Sequence, residues 1–539
     1  MAEQQPWRSA VVFPHARDSQ GRVSYTHYTF RQLEEVSNQL AVGFQLAGIQ
    51  RGMRTTLMVP PSLEFFALTF ALFKLGAVPV LIDPGIGIKS LGKCLAEASP
   101  EAFIGIPKAH VARVLLGWAR KTVSIKVTVG ARSLLGGSTL AQVLRLASPR
   151  TPFQMVTPEP DETAAILFTS GSTGPPKGVV YTHEIFTAQV EHIRRLYGIQ
   201  PGEIDLPTFP LFALFGPALG MTGILPEMDP TRPAQVDPVK IIEAIENFGV
   251  TNMFGSPALI NRVGRYGEPR GVKLPTLRRV ISAGAPVPAA VLQRFTTMLS
   301  PEAQVFTPYG ATECLPVSSI GSNEILLETR RQTESGAGVC VGLPVQGLTV
   351  RVIKISDDPI ATWSDALEVK RGEIGEIVAK GPHVTRSYYN RPDATALAKI
   401  DDPANGGFYH RMGDVGYMDD RGRIWFCGRK AHRVVTARET LFTIPCEAVF
   451  NTHPSVARSA LVGVRRGGET DPVLCVEREP GVTFSPRELE AELRDLGAKH
   501  PHTRSIQRFL FHPAFPVDIR HNAKIFREKL AVWASRQPR

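Results

Sequence analysis

Apolar positions along the chain alternate between two spacings. Residues 33–47 (LEEVSNQLAVGFQLA) repeat every three to four positions and predict a helix, and 55–59 then read as a short strand. Residues 63–75 predict a second helix, with Ser62 as its N-cap, leading into a buried strand at 78–82. The rhythm returns in a helix at 238–248, opened by Asp237 and Pro238, before a strand at 250–254. It returns again in a strand at 279–282 before a helix at 287–298. Strands that alternate with helices predict an α/β fold of doubly wound parallel sheets, with ligands at the carboxyl ends of the strands.

After Tyr309 the texture changes. Shorter strands at 348–353, 373–379 and 423–426 are separated by Gly and Asp turns such as Asp419-Asp420-Arg421-Gly422, and they predict an antiparallel, distorted β-barrel subdomain. From about 431 a strand, helix and strand pattern runs to a final helix at 525–534. The short charged stretch 428–432 is the natural hinge. The expected organisation is therefore a large N-terminal region, 1–430, and a small mobile α+β domain, 431–539.

Composition narrows the class. With 539 residues, 43% apolar and 21% charged, the chain can bury two to four domain cores, and disorder is excluded as its main state. The net charge of +11 comes from 61 basic and 50 acidic residues scattered along the sequence, so it reads as solvated surface and no nucleic-acid partner is expected. The six cysteines show no C-x-x-C spacing and no His/Cys cluster, which speaks against zinc and disulfides and for a reducing compartment. The N-terminus lacks a basic segment followed by an apolar one, and the most apolar stretch, 65–82, is broken by Lys74 and Gly76. No signal peptide and no transmembrane segment are predicted, and a cytoplasmic location is expected.

The strongest local signal is ILFTSGSTGPPKGVVYTH, 166–183. An apolar strand feeds Thr169, Ser170, Gly171, Ser172, Thr173, Gly174 and, after two prolines, Lys177. Small residues let the backbone approach an anion, hydroxyls and N–H groups donate to it, and Lys177 adds a point charge. The loop is not of the GK[ST] type, because Lys177 has neither the preceding Gly nor the following Ser/Thr.

This loop resembles the signature of the adenylate-forming superfamily, which contains acyl-CoA synthetases, luciferases and peptide-synthetase adenylation domains, and further motifs follow in the family's order. The resemblance implies activation of a carboxylate by Mg-ATP to an acyl-adenylate and pyrophosphate, then rotation of a small C-terminal domain for a second half-reaction. In SAGAP, 282–286, Gly284 and Ala285 would line the adenine. In TPYGATE, 307–313, Tyr309 and Gly310 would meet the base, Thr312 the phosphate or acyl carboxylate, and Glu313 the Mg²⁺. In the block 409–430, Asp414 would accept from the ribose hydroxyls with Arg429 beside it. In PVDIRHNAKIFREKL, 516–530, Lys524 matches the family's catalytic lysine.

Three departures bear on substrate and product. PLFALFG, 210–216, has Ala213 where many relatives carry His, which implies a wider acyl entrance lined by Phe209, Phe212 and Phe215. Ala431 stands at the hinge position usually held by Asp or Lys. The following loop, Val434 to Thr440, contains no glycine where relatives let pantetheine pass bare backbone, so CoA is not expected as an acceptor. Within the superfamily, LFALFGPALGM and PVDIRHNAKIFREKLAVW most resemble the olefin β-lactone synthetase branch. That resemblance implies a 2-alkyl-3-hydroxy fatty acid as substrate, a β-lactone as product, and possible association with other lipid-biosynthetic enzymes. A medium- or long-chain acyl-CoA synthetase and a non-catalytic nucleotide-binding module are the alternatives.

Overall fold

The most apolar helix, Leu63–Leu75, starts where the Ser62 hydroxyl accepts from Phe65 N and stops at Gly76, whose φ of +70° is strained for any residue with a Cβ. It is apolar on nearly every side because the helix Phe30–Leu46 and the strands beneath bury nearly every side. The helix Pro238–Phe248 has Asp237 Oδ1 accepting from Val239 N at 3.0 Å and ends at Gly249, again at positive φ. In this computed structural model the described residues are all except 134, 149–150, 152, 170–173, 480, 482–484, 519–523 and 539.

These helices cover two sheets. The seven-stranded one is parallel through Ser138–Thr139, Ile125–Thr128, Ala102–Gly105, Arg54–Met58, Val78–Leu81 and Thr163–Phe168, and closes with the antiparallel Gly178–Thr182. The second has 14 strands. At its centre Gln304–Ala311, Arg279–Ile281, Asn252–Phe254, Ile204–Pro207, Thr222–Ile224 and Ser9–Arg17 lie parallel. Antiparallel strands extend it on both sides: Val23–Thr29 at one edge, and Cys314–Gly321, Val339–Pro344, Ile424–Arg429, Phe408–Met418, Gly375–Lys380 and Thr349–Ile353 at the other. The antiparallel strands expected after Tyr309 are thus present, hydrogen-bonded into the same continuous sheet as the parallel ones.

Toward the C-terminus, Val456–Arg466, Glu469–Arg478 and Arg508–Phe511 form a three-stranded sheet with an apolar cluster on each face, packed by the helices Thr443–Phe450, Pro486–Ala498 and Arg527–Ser535. The connection to it is pinned by charge. Arg411 and Lys430 both donate to the buried Glu376, at 2.7 Å and 3.1 Å, and Arg433 pairs with Asp357 at 2.6 Å. Among the described residues no helix is long and apolar enough to cross a membrane. All six cysteines are buried free thiols.

Candidate active site

The strand Gln304–Ala311 leaves the parallel block, bulges after Tyr309 and turns back into Cys314–Gly321. Gly310 sits in that bulge because a Cβ there would lie 2.6 Å from Cys314 O and 2.8 Å from Leu315 Cδ1. The turn carries Tyr309 toward the strand pair Phe408–Met418 and Ile424–Arg429, whose register places Asp414 opposite Arg429. Tyr309 Oη donates to Asp414 Oδ2 at 2.7 Å, and Arg429 Nη1 donates to Asp414 Oδ1 at 2.8 Å. Burial, reinforced by the Asp414 carboxylate, holds the Tyr309 phenol well above its ordinary value, and the same carboxylate raises Arg429. The three residues make an aromatic face beside a carboxylate that is fixed by a guanidinium.

On the other side of the turn, Glu313 Oε1 accepts from Tyr388 Oη at 2.6 Å, and the Lys177 ammonium lies 4.5 Å from the Tyr388 ring centre. Thr385 N and Oγ1 both donate to the Glu313 carbonyl, and Tyr181 Oη donates to the Thr312 carbonyl, so the backbone of 312–313 is held from behind. Burial lowers the Lys177 ammonium from its ordinary value, with Glu313 opposing the shift. The Gly/Ser/Thr-rich loop is closed at its base by Thr169, whose Oγ1 accepts from Lys177 N at 3.1 Å and whose N donates to Lys177 O at 3.0 Å. Gly174 follows at φ +155°. Ser170, Gly171, Ser172 and Thr173 lie outside the described residues. Tyr388 carries no motif of its own; the aromatic pair before the Pro-opened helix Pro392–Ala398 is the trace it leaves in the sequence.

Beneath Tyr309 an apolar cavity of about 70 Å³ runs between the helix His183–Tyr197 and the parallel strands. Ile193, Phe212, Phe215, Met221, Phe254 and Leu315 are among its walls, and Ala283 and Pro308 stand at the end next to Tyr309. Gly284, at φ +102°, and Ala285 follow Ala283 in the turn above. Phe209 packs against Phe212 with ring centres 5.3 Å apart and the rings tilted by 58°. Ala213, expected at the acyl entrance, instead points away: it is buried in the core beneath the helices Phe30–Leu46 and Leu63–Leu75, because Phe212 and Phe215 take the cavity side of this short helical turn. Asp205 and Asn252 also line the cavity, and the sequence reading passed over both. An acidic residue inside the apolar strand Ile204–Pro207 was the available signal.

Lys524 lies in the C-terminal unit, where its carbonyl accepts from Asp518 N at 2.9 Å and Val517 bridges Ile525. After the charged stretch 428–432, Val434–Val435 and Thr440–Leu441 form a small hairpin. Thr436 Oγ1 accepts from Arg438 N and Glu439 N and donates to Glu439 O, leaving the Ala437, Arg438 and Glu439 side chains exposed.

A family profile described as AMP-binding enzyme matches residues 1–389. The chain is 52% identical to the olefin β-lactone synthetase of Xanthomonas campestris pv. campestris, over 100% of this chain and 96% of that protein. It is 53% identical to the olefin β-lactone synthetase of Stenotrophomonas maltophilia, over 99% and 96%. Among solved structures, the amide bond synthetase McbA from Marinactinospora thermotolerans superposes with a TM-score of 0.80 at 22% identity, covering 98% of this chain and 97% of that one, and so shares the fold. The matched profile spans the Gly/Ser/Thr-rich loop ending at Lys177 and the Tyr309–Glu313 turn, and the chain belongs to the AMP-binding enzyme family.

Proposed function

We propose that this protein is an AMP-forming ligase that activates a 2-alkyl-3-hydroxy fatty acid with ATP and closes the acyl-adenylate to a β-lactone. The observation that carries the reading is identity above half, over the full length, to two olefin β-lactone synthetases. The apolar cavity ending beside Tyr309 supports an alkyl substrate. Tyr309 would stack on the adenine and Asp414, fixed by Arg429, would accept from the ribose hydroxyls. Lys177 and the phosphate loop would hold the phosphates, and Thr312 the acyl phosphate.

In the first half-reaction a carboxylate oxygen attacks the α-phosphorus and pyrophosphate leaves. Lys524, carried by a C-terminal lid of residues 431–539, would stabilise the charge that develops there. In the second, the 3-hydroxyl oxygen attacks the acyl carbon, the proton of the hydroxyl is released, and AMP departs. The intramolecular nucleophile gains effective concentration, which offsets part of the ring strain.

The donor set suits Mg²⁺. Glu313 Oε1 is taken by Tyr388 while Oε2 has no hydrogen bond among the described residues, and no cluster of three His, Cys, Asp or Glu competes for a metal there. One carboxylate plus nucleotide phosphates is the arrangement Mg²⁺ favours, and the ion would neutralise phosphate charge. The buried thiols fit a cytoplasmic enzyme.

The glycine-free hairpin at 434–441 supports a reaction without CoA, because side chains such as Arg438 and Glu439 would crowd a pantetheine passing along this backbone. Mass spectrometry of the product from a synthetic 2-alkyl-3-hydroxy acid and ATP tests the proposal. A β-lactone and AMP are expected, unchanged by saturating CoA. An acyl-CoA accumulating as fast as AMP overturns it in favour of an acyl-CoA synthetase.

A further inference from the structure

The register of the parallel strands sorts the cavity wall into rows. Pro207, Phe254, Ile281 and Phe306 form one row, and Ala283 and Pro308 stand two residues above it, next to Tyr309. Two residues below it the row is polar throughout: Asp205, Asn252, Arg279 and Gln304. The intervening residues Leu206, Met253, Val280 and Val305 face the opposite side and fill the core there. Arg279 is turned away from the cavity onto Glu203, which also accepts from Thr251 Oγ1, so its charge is already matched. Asp205 and Asn252 remain to face the cavity.

This pair is closed to solvent, at 4% and 3% exposure. Asn252 Nδ2 donates to Asp205 Oδ1, whereas Asn252 Oδ1 is buried without a hydrogen-bond partner among the described residues. Methylenes pressed against these atoms would leave polar groups desolvated and unsatisfied, a cost that apolar walls do not impose. Four residues separate the pair from the row of Ala283 and Pro308, about 13 Å at roughly 3.3 Å per residue, which is far beyond a hydroxyl on the third carbon. Burial pushes the Asp205 carboxyl up to about 7, in keeping with a group shut off from water.

We infer that Asp205 and Asn252 form the polar floor of the acyl cavity and set the length of alkyl chain that it accepts. The inference rests on the fatty-acid reading of the site. A chain that reaches the floor must stop or bend, because the Glu203–Arg279 pair closes the space below. Gly216 stands against the same floor: a Cβ there would lie 3.9 Å from Asp205 Oδ2 in ordinary contact.

The test is pyrophosphate release across a series of 2-alkyl-3-hydroxy acids whose alkyl chains increase in length. Asp205→Ala should move the preferred length upward, changing the long-to-medium ratio of kcat/KM by at least about tenfold. Gly216→Ala should move it downward by a similar factor, and Asp205→Asn should keep the wild-type profile. Because Gly216→Ala adds only a methyl in open contact, it remains informative if Asp205→Ala fails to fold. Wild-type turnover with coincident profiles for the variants overturns the floor. A wild-type preference for chains bearing a distal hydroxyl overturns it too, since the pair would then be a hydrogen-bonding reader. Wild-type protein that turns over no fatty acid at all overturns the underlying reading instead.

Discussion

Tyr388 anchors one oxygen of Glu313 and presents its ring to Lys177, so a single phenol orders both the carboxylate and the ammonium on this side of the site. Hydrogen bonds to a charged group are worth about 1.5–3 kcal/mol, and their loss here frees Glu313 rather than removing it. Tyr388→Phe should therefore raise the Mg²⁺ concentration needed for half-maximal pyrophosphate release while leaving the rate at saturating Mg²⁺ within a few-fold of wild type. An unchanged Mg²⁺ titration would detach Glu313 from the metal. Asp205 gives a second effect at this scale, in stability. Its carboxyl is raised from 3.8 to about 7, so between those values the native state keeps a proton that the unfolded chain has lost. Its contribution to stability is thus complete at the acid end and is lost as the pH rises through about 7. Asp205→Asn cannot titrate there. Melting temperatures measured from about pH 5 to about pH 8 should shift in favour of the variant relative to wild type.

Within the C-terminal unit, the helices Thr443–Phe450 and Arg527–Ser535 are joined through charge. Arg527 Nη2 reaches both oxygens of Glu447, at 2.6 Å and 2.8 Å, and Leu461 N donates to the same carboxylate from the neighbouring strand. Arg527→Ala would leave Glu447 buried and unpaired, a change that costs about 3–5 kcal/mol. Urea unfolding of the variant should begin at lower denaturant than in wild type, with Arg527→Lys recovering part of the loss. Elements of this kind differ in how far the sequence reveals them. Helices such as Leu63–Leu75 and Pro238–Phe248 are legible because cap, period and stop all lie within a dozen residues. The hairpin of Ser9–Arg17 and Val23–Thr29 was not read as a sheet edge, because its partner, Thr222–Ile224, lies some 200 residues away in the chain. The same nonlocality hid Tyr388, which meets Glu313 only through the fold, and it turned Ala213 from a pocket residue into a core one. Motif residues fared differently: Tyr309, Asp414 and Arg429 were named from the sequence, and strand register brings them into contact.

At the scale of the whole molecule, the residues proposed to bind ATP lie on the two large sheets, and Lys524, proposed for the first half-reaction, lies in the small C-terminal unit. Lys524 follows the segment 519–523 and opens into Ile525, which pairs with Val517, so its backbone is tied to the unit that the Arg527–Glu447 pair stabilises. The residues proposed to bind the nucleotide all lie within 1–430: Tyr309 and Arg429 both donate to Asp414, and Lys177 lies over the Tyr388 ring. Separate placement gives separable effects. Lys524→Ala should leave ATP binding intact by calorimetry while slowing pyrophosphate release by roughly 10²–10³, the usual effect of deleting one charge-stabilising donor. Conversion of preformed acyl-adenylate to lactone should be slowed far less, because the α-phosphorus has by then already been attacked. Pyrophosphate release at the wild-type rate would remove Lys524 from adenylation. Weakened ATP binding with an unchanged rate at saturation would instead make it a ground-state nucleotide contact.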